Sequence, residues 1–450
     1  MSDRARKCLV IAAGRGSRLD SDDLPKPLFR LLGLPLIERA IVTAKRAGLE
    51  DFTVVTGYDG ARIRKFLDRL AVRREVSITH VVNENWQAEN GISVLKARDA
   101  TGEDPFVLLM ADHLVSPRLL SELLDAPLQE GTVRLAVDFD LRNPLVDLDD
   151  VTRVRVEGGR VAAIGKQLDG DNSFDTGCFV CSPALFDSLE LSRKRDGDET
   201  LSGGIRLLAE AGRVSAHDIG DAFWIDVDDP GAVRRAERAL IERLPKLGDG
   251  PISRYLNRPV STRISRRLVT RSVTPNQISV FVFGLSLVAA ALFAAGGFVA
   301  LAAGGLLAQF SSVVDGCDGE VARLRFTESA FGGWFDSVLD RYSDAFLLFG
   351  LTWHVFAVQE SALVLAVGFL AITGSFMVSY TADKHDGLMK TRFERGEGGG
   401  FRIGRDLRVL VIALGAVLNL PFLALALIAG IMNFETLRRV IAAREPRAAT

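Results

Sequence analysis

The sequence predicts two folds in series: an α/β doubly wound domain, followed by an all-α domain of six transmembrane helices. Short strand patterns alternate with helical patterns through the first 245 residues, as in α/β proteins. From about Ile278 onward long apolar runs take over, and the mean hydropathy of the whole chain is +0.18. The formal net charge of −2 argues against a nucleic-acid partner. The expected divisions are a soluble domain at 1–245, a linker with an amphipathic juxtamembrane helix at 246–275, a membrane domain at 276–440 and a cytoplasmic tail at 441–450.

Strands of the first domain are predicted from short apolar runs that lie between helical patterns. These runs are 9–13, 52–56, 78–82, 106–110 and 134–137. A hairpin pattern covers 151–164. In a doubly wound sheet the carboxyl ends of the strands border the ligand site. Residues that directly follow these strands are therefore the first candidates for binding.

A glycine-rich loop follows the first strand. It contains Gly14, Arg15, Gly16 and Arg18, and Lys26 comes shortly afterwards within P-K-P-L. Glycines let backbone amides face phosphate, and the three cations add positive charge. The pattern A-A-G-x-G-x-R-L followed by P-K-P-L resembles the sugar nucleotidyltransferase superfamily. That resemblance implies that the loop wraps the triphosphate of a nucleotide, with Arg18 and Lys26 in catalytic roles.

Two aspartates of the first domain lie in strand patterns. Asp112 ends the run that begins at 106, and Asp226 lies inside the run F-W-I-D-V-D. The superfamily holds Mg²⁺ between two such carboxylates, which implies a metal site at Asp112 and Asp226. Asp228 is expected to cap the helix that begins at Pro230.

The same resemblance implies further contacts with the substrates. Asn90 and Ser93 stand where relatives contact the base and the ribose. Lys166 follows the hairpin pattern and is expected to hold the phosphate of the acceptor, although a solvated lysine at a strand end is the alternative.

Four aspartates near the start of the apolar half carry the clearest chemical signal. Asp315 and Asp318 are spaced i,i+3, while Asp336 and Asp340 are spaced i,i+4, so each pair shares one face of a helix. Four carboxylates around one point stay ionised only if cations hold them, and oxygen ligands suit Mg²⁺ or Mn²⁺. The spacing therefore predicts a two-metal phosphoryl-transfer site at a membrane surface.

The full pattern D-x2-D-G-x2-A-R-x8-G-x3-D-x3-D resembles the CDP-alcohol phosphotransferase family. Every fixed position is met; these are Asp315, Asp318, Gly319, Ala322, Arg323, Gly332, Asp336 and Asp340. The resemblance implies cleavage of a CDP-alcohol, release of CMP and transfer of the alcohol phosphate to a hydroxyl group. Asp315, Asp318 and Asp336 would ligate metal, and Asp340 would either ligate or, preferably, take the proton of the acceptor.

Neighbours of these aspartates also receive expected roles. Gly319 and Ala322 would let the nucleotide approach closely, and Arg323 would meet its phosphates. Asp344 lies outside the family pattern; it is expected to pair with Arg341, with support of the metal ligands as the alternative.

Loop charges predict the orientation of the membrane domain. Lys and Arg crowd before the first apolar run, between the fourth and fifth, and after the sixth, while the other loops contain none. By the positive-inside rule this fits six spans in a cell membrane, with both termini, the soluble domain and the aspartates on the cytoplasmic side. The segment 254–271 is expected to be an amphipathic helix on the anionic leaflet, or else a flexible basic linker.

The order of the two domains suggests consecutive reactions. The fusion resembles the bifunctional enzymes of di-myo-inositol phosphate synthesis, which implies that CTP and inositol 1-phosphate give CDP-inositol and pyrophosphate. The inositol phosphate unit would then pass to a second inositol 1-phosphate, whose own phosphate Lys384 and Arg402 are expected to bind. Family resemblance also implies a homodimer through the membrane domain. Two alternatives remain: a different alcohol phosphate or a lipid acceptor, and a first domain that only binds nucleotide to regulate the second.

Overall fold

The computed structural model describes residues 5–19, 24–244, 250–389 and 404–444. The chain divides near residue 240 into two compact units. The first is an α/β unit and the second is helical.

The first unit contains a large mixed sheet with helices. Its strands are β1 (Lys7–Ala12), β2 (Arg30–Leu31), β3 (Leu34–Pro35), β4 (Asp51–Thr56), β5 (Ser77–Val82), β6 (Phe106–Met110), β7 (His113–Val115), β8 (Val133–Asp138), β9 (Arg153–Glu157), β10 (Arg160–Gly165), β11 (Ser173–Cys181), β12 (Val214–Asp218) and β13 (Trp224–Asp226). Its helices are α1 (Leu36–Arg46), α2 (Gly60–Arg74), α3 (Asn90–Lys96), α4 (Arg98–Thr101), α5 (Pro117–Asp125), α6 (Ala184–Asp196), α7 (Leu201–Glu210) and α8 (Pro230–Glu242). The five predicted strands and the predicted hairpin are all present.

Nine strands form the main sheet in the order β5-β4-β1-β6-β11-β8-β12-β10-β9. The strands from the beginning of the chain are parallel, since β1 pairs in parallel with both β4 and β6. Strand β11 runs antiparallel to β6, so the sheet is not parallel throughout. Parallel pairing requires a crossover connection, usually a helix. Strand β11 directly follows the β9–β10 hairpin without such a helix, which is consistent with its antiparallel pairing.

Both faces of the sheet are covered, as the buried pattern of β1 demonstrates. Leu9 and Val10 are both fully buried, yet they belong to different hydrophobic clusters on opposite faces. Successive side chains of a strand point to opposite faces, so a strand buried on both sides reads as a continuous apolar run. This arrangement leaves the strand ends as the accessible edge.

The second unit consists of long helices. They are α9 (Arg258–Leu268), α10 (Pro275–Ala294), α11 (Phe298–Arg325), α12 (Ala330–Gln359), α13 (Ala362–Met389), α14 (Arg405–Val417) and α15 (Pro421–Arg444). The start of α10 was predictable: the Thr274 hydroxyl accepts from the Gln277 backbone N–H at 3.3 Å, and the Gln277 side chain accepts from the Thr274 N–H at 2.9 Å.

Among the described residues, four helices are long and apolar enough to cross a membrane: α10, α11, the Ala362–Lys384 part of α13 and the Pro421–Ile441 part of α15. Each of the six predicted spans coincides with a helix, but α12 and α14 do not meet these criteria. Helix α12 carries several charged residues in its first half, and α14 has 13 residues. At 1.5 Å per residue, α14 is about 20 Å long, which is shorter than a hydrocarbon core of about 30 Å.

Close packing of α10 against α12 leads to a first prediction. A Cβ atom added at Gly350 would lie 2.5 Å from the backbone oxygen of Ala290, so Gly350→Ala forces the two helices apart. We expect this variant to lose about 1–3 kcal/mol of stability, measured as a lower midpoint of thermal unfolding in detergent. Gly284→Ala is the control, because a Cβ there meets no atom within 4 Å. Equal midpoints for the two variants would contradict the close contact.

Candidate active sites

The glycine-rich loop of the first unit shapes the path of Lys26. Gly16 adopts a φ of 66°, and a Cβ added there would overlap the aliphatic chain of Lys26. Lys26 is 7% exposed, and its Nζ lies 2.5 Å from Oδ2 of Asp112 and contacts Asp228 as well. A larger residue in place of Gly16 would therefore displace the lysine from these carboxylates.

Three side chains beside Lys26 could hold a metal ion. Strand β13 pairs antiparallel with β7 so that Asp226 stands opposite His113, and Asp112 immediately precedes β7. Their ligand atoms all lie within 4.8 Å of one another. Oδ1 of Asp226 is buried and has no hydrogen-bond partner among the described residues, so the donor set fits a divalent cation. His113 was missed from the sequence, although its position directly after Asp112 at a strand end is a usable signal.

The electrostatics of this cluster reflect crowded buried charges. Burial opposes the charged form of Lys26, but the neighbouring carboxylates of Asp112, Asp226 and Asp228 outweigh it and raise the pKa of Lys26. Burial raises the pKa of Asp226, and the nearby Asp112 adds to that rise. For His113, burial is likewise outweighed by Asp226 and Asp112, so its pKa rises to about 9. The lysine and the imidazolium thus balance the carboxylates when no other cation is present.

A cleft of about 190 Å³ adjoins the cluster, and its lining includes Arg18, Asn90, Lys166 and Asp226. Asp150, which the sequence did not single out, joins two of the predicted cations. Lys166 donates to Asp150 at 2.5 Å, and Arg18 contacts Asp150 while donating to Asp228 at 2.5 Å. These hydrogen bonds lower the pKa of Asp150 to about 2. The structure therefore brings Arg18, Lys26 and Lys166 to one end of the sheet, each beside a carboxylate.

Other predicted residues of the first unit have different surroundings. Arg15 lies over the ring of Tyr58, 5.4 Å from its centroid, and Gly14 has open space where a Cβ would stand. The Asn90 side chain accepts from the backbone of Leu201 at 2.8 Å.

Ser93 is 4% exposed and accepts from Asn83 at 3.0 Å. Contact of Ser93 with a nucleotide stays a prediction, as do the contacts of Asn90 and Arg15. The expected cap at Asp228 is wrong, because Asp229 accepts from the Ala232 N–H at 2.9 Å at the start of α8.

The aspartates of the second unit come from α11 and α12, which both pack against α10. Carboxylate oxygens of Asp315, Asp336 and Asp340 lie within 4.8 Å of one another, a donor set that suits Mg²⁺ or Mn²⁺. The Ser279 hydroxyl on α10 donates to Oδ2 of Asp318 at 2.7 Å and fixes that carboxylate. The two i,i+3 and i,i+4 pairs thus converge as the spacing predicts.

Arg405 forms ion pairs with two aspartates of this centre. Its Nη1 lies 2.8 Å from Oδ2 of Asp315 and 2.7 Å from Oδ1 of Asp340. The expected pairing of Asp344 with Arg341 is wrong: Arg341 pairs with Asp383 at 3.1 Å. The arginines near Asp344 come instead from α14, because α14 packs against that turn of α12.

The other predicted residues of the second unit have different surroundings. A Cβ on Gly319 would lie 3.2 Å from Nη1 of Arg323, so glycine leaves room for the arginine, and Ala322 is buried. Lys384 is exposed near the end of the apolar part of α13. Arg402 lies outside the described residues.

A buried carboxylate ties α9 to the helix that carries Asp315 and Asp318. Glu320 is fully buried and accepts from Arg258 at 2.6 Å, from Ser261 at 2.7 Å and from Ser265 at 2.6 Å. The juxtamembrane segment is therefore helical, as predicted, and its serine-bearing face packs on α11. Its arginines at 263, 266 and 267 are exposed, while contact with lipid stays a prediction.

Comparison with known proteins gives matches to both units. The family described as "MobA-like NTP transferase domain" matches residues 8–164, and the family described as "CDP-alcohol phosphatidyltransferase" matches residues 272–443. A Rubrobacter xylanophilus protein described as "Bifunctional IPC transferase and DIPP synthase" is 38% identical over 446 residues, which cover 97% of this chain and 96% of that protein. An Aquifex aeolicus protein of the same description is 32% identical, covering 91% of this chain and 92% of that protein. A solved structure titled "Structure of the inositol-1-phosphate CTP transferase from T. maritima" is 25% identical, covers 53% of this chain and 97% of that chain, and has a TM-score of 0.47.

The Glu320 network yields a prediction about α9. Glu320→Gln keeps the side-chain shape but removes the charge that faces Arg258, and disrupting a buried ion pair costs about 3–5 kcal/mol. We expect α9 to loosen, so that trypsin cuts at its exposed arginines at least about tenfold faster. Glu360→Gln is the matched control, since Glu360 is exposed between α12 and α13. Unchanged cleavage in Glu320→Gln would mean that the serines and apolar contacts suffice to hold α9.

Proposed function

The chain belongs to the family of bifunctional IPC transferases and DIPP synthases, and we propose that its two units catalyse consecutive reactions. The first unit couples CTP with inositol 1-phosphate and releases pyrophosphate, which leaves CDP-inositol. The second transfers the inositol phosphate unit of CDP-inositol to another inositol 1-phosphate and releases CMP. The product is a phosphorylated di-myo-inositol phosphodiester.

The observation that carries this proposal is the presence of two complete charged centres in one chain. Asp112, His113 and Asp226 gather beside Lys26 in the first unit, and Asp315, Asp336 and Asp340 gather in the second. A regulatory first domain would not need the charge set of a nucleotidyltransferase. The similarity to the Rubrobacter protein, which extends over both units, also favours two activities over one.

In the first unit, CTP binds along the glycine-rich loop, with Gly14 and Gly16 presenting backbone amides to its phosphates. Arg15, Arg18 and Lys26 neutralise the triphosphate, and Lys26 stabilises charge that develops on the departing pyrophosphate. Asn90 and Ser93 lie on the side of the base and the ribose.

Lys166 orients the phosphate of inositol 1-phosphate. An oxygen of that phosphate attacks the α-phosphorus of CTP in line, and the bond from the α-phosphorus to pyrophosphate breaks. Asp112 and Asp226, together with His113 as a third ligand, would hold a divalent cation.

In the second unit, Asp340 takes the proton of the acceptor hydroxyl group as that oxygen attacks the phosphorus next to inositol in CDP-inositol. The bond to CMP breaks at the same time. Asp315, Asp318 and Asp336 hold metal, Gly319 and Ala322 leave space for the nucleotide, and Arg323 binds its phosphates. Lys384 and Arg402 bind the phosphate of the acceptor. In both units Mg²⁺ or Mn²⁺ supplies positive charge to the phosphate oxygens.

We further propose that the second unit crosses the membrane six times and that both termini lie in the cytoplasm. The basic loops support this orientation, and four of the six helices have the length and apolarity of spans. Burial of its charges against neighbouring helices would let α12 span the membrane, and local thinning of the bilayer would let the shorter α14 complete the six. The membrane unit is also proposed to form the contact surface of a homodimer. The proposed domain limits are those expected from the sequence.

Two variants separate the activities. Asp112→Ala should lower pyrophosphate release from CTP and inositol 1-phosphate by at least about 100-fold, while transfer from supplied CDP-inositol stays near the wild-type rate. Asp340→Ala should do the reverse, because it removes the base from the second centre alone. Each variant is the folding control for the other. Loss of both activities in either folded variant would contradict two independent sites.

The identity of the acceptor has its own test. Purified protein in detergent, given CTP, inositol 1-phosphate and Mg²⁺ without added lipid, should produce a new phosphodiester signal in ³¹P NMR, together with pyrophosphate and CMP. Omitting inositol 1-phosphate is the control. If CDP-inositol accumulates and a phosphodiester forms only after a lipid alcohol is added, the soluble acceptor is wrong and the second unit makes a phospholipid.

A further inference from the structure

Arg405 stands inside the aspartate centre of the second unit. Its Nη1 is within hydrogen-bonding distance of Asp315 and Asp340, two of the three residues whose oxygens gather there. The arginine side chain is only 13% exposed. A cationic side chain thus lies between Asp315, a proposed metal ligand, and Asp340, the proposed base.

Asp344 holds this arginine from the other side. Oδ1 of Asp344 accepts from Nε of Arg405 at 3.2 Å, while its Oδ2 accepts from Arg408 at 2.7 Å and from the Ser375 hydroxyl at 2.9 Å. The Asp344 side chain is 5% exposed. Asp344 lies one helical turn beyond Asp340. It therefore holds Nε of Arg405, while Nη1 of the same guanidinium group reaches Asp315 and Asp340.

A divalent cation and the guanidinium cannot share these oxygens. Mg²⁺ binds carboxylate oxygens at about 2.0–2.1 Å. The Nη1 atom of Arg405, at 2.8 Å from Oδ2 of Asp315 and 2.7 Å from Oδ1 of Asp340, fills the space beside these two oxygens. Two cations at one pair of oxygens would also repel each other strongly in a site shielded from water. Buried carboxylates without any cation are equally unfavourable, so one cation must replace the other.

We propose that Arg405 is the resident counter-cation of the aspartate centre, that Asp344 is the residue that positions it, and that Arg405 leaves Asp315 and Asp340 when a divalent cation binds. This inference rests on the proposed function only in taking the aspartates as a divalent-cation centre. Binding of the metal and release of Arg405 are then one exchange reaction. Removal of the arginine charge therefore strengthens metal binding.

The test measures Mn²⁺ binding to the full-length protein in detergent by the EPR signal of free Mn²⁺. All proteins carry Asp112→Ala and Asp226→Ala, so that the first unit does not contribute. Arg405→Gln should bind Mn²⁺ at least about tenfold more tightly than this parent, since a competing charge is gone. It should also unfold at a lower temperature without Mn²⁺ and regain the parent's midpoint with it. Arg405→Lys, which keeps the charge, should bind within about threefold of the parent.

Arg341→Gln is the matched control for net charge. Arg341 neighbours Asp340 in sequence but pairs with Asp383, so its loss should change Mn²⁺ affinity by less than about twofold. If Arg405→Gln binds Mn²⁺ with the parent's affinity or more weakly, Arg405 is not a competitor and the inference is wrong. Adding Asp336→Ala to the parent distinguishes this from failure of the proposed metal centre: if that change removes no Mn²⁺ binding, the centre itself is wrong.

A double-mutant cycle tests the positioning role of Asp344. Asp344→Asn should weaken Mn²⁺ binding, because Arg405 then directs its whole charge at Asp315 and Asp340. In the Arg405→Gln background the same change should alter affinity by less than about twofold. If it weakens binding equally in both backgrounds, Asp344 acts on the metal directly through its charge and does not act through Arg405.

Discussion

Both active centres gather several carboxylates close together, and such groups stay ionised together only beside cations. In the first unit Lys26 lies among Asp112, Asp226 and Asp228, and in the second Arg405 lies between Asp315 and Asp340. The cost of burying an unpaired charge explains why each cluster has a basic side chain of its own. Under the proposed function, substrate phosphates and divalent cations would enter centres whose charges are already balanced, so binding would be an exchange of partners.

The two folds bring the carboxylates together by different means. In the first unit the antiparallel pairing of β13 with β7 sets Asp226 opposite His113, so sheet register determines the ligand geometry. In the second, helical periodicity places two aspartates of α11 and two of α12 on facing stripes. Glu320 adds a fixed link from α11 to α9, so polar contacts that water does not reach anchor the carboxyl-terminal half of α11, which carries Asp315 and Asp318.

Local patterns in the sequence predicted the strands of the first unit, the helices of the second and the convergence of the motif aspartates. These features depend on neighbours in sequence, on spacings of two, three or four residues. Arg405, by contrast, is 90 residues from Asp315, and in the sequence it reads as one basic residue in a loop that membrane topology already explains. The predicted partner of Asp344 was wrong for the same reason. Arg341 is close to Asp344 in sequence, but the arginines that contact Asp344 come from α14. Asp150 meets Arg18 only in the folded chain, because the two residues are 132 positions apart.

A resident cation has a consequence for the order in which ligands enter. Nucleotides carry most of their charge on phosphates, and a metal-bound nucleotide brings both the cation that the carboxylates need and the anion that a displaced lysine or arginine can meet. Entry of such a complex therefore conserves the charge balance at every carboxylate, whereas entry of a bare nucleotide would set phosphate against Asp112 or Asp315. Under the proposed function, the charges of these centres would favour the joint arrival of metal and nucleotide, and Lys26 and Arg405 would then move from carboxylate to phosphate.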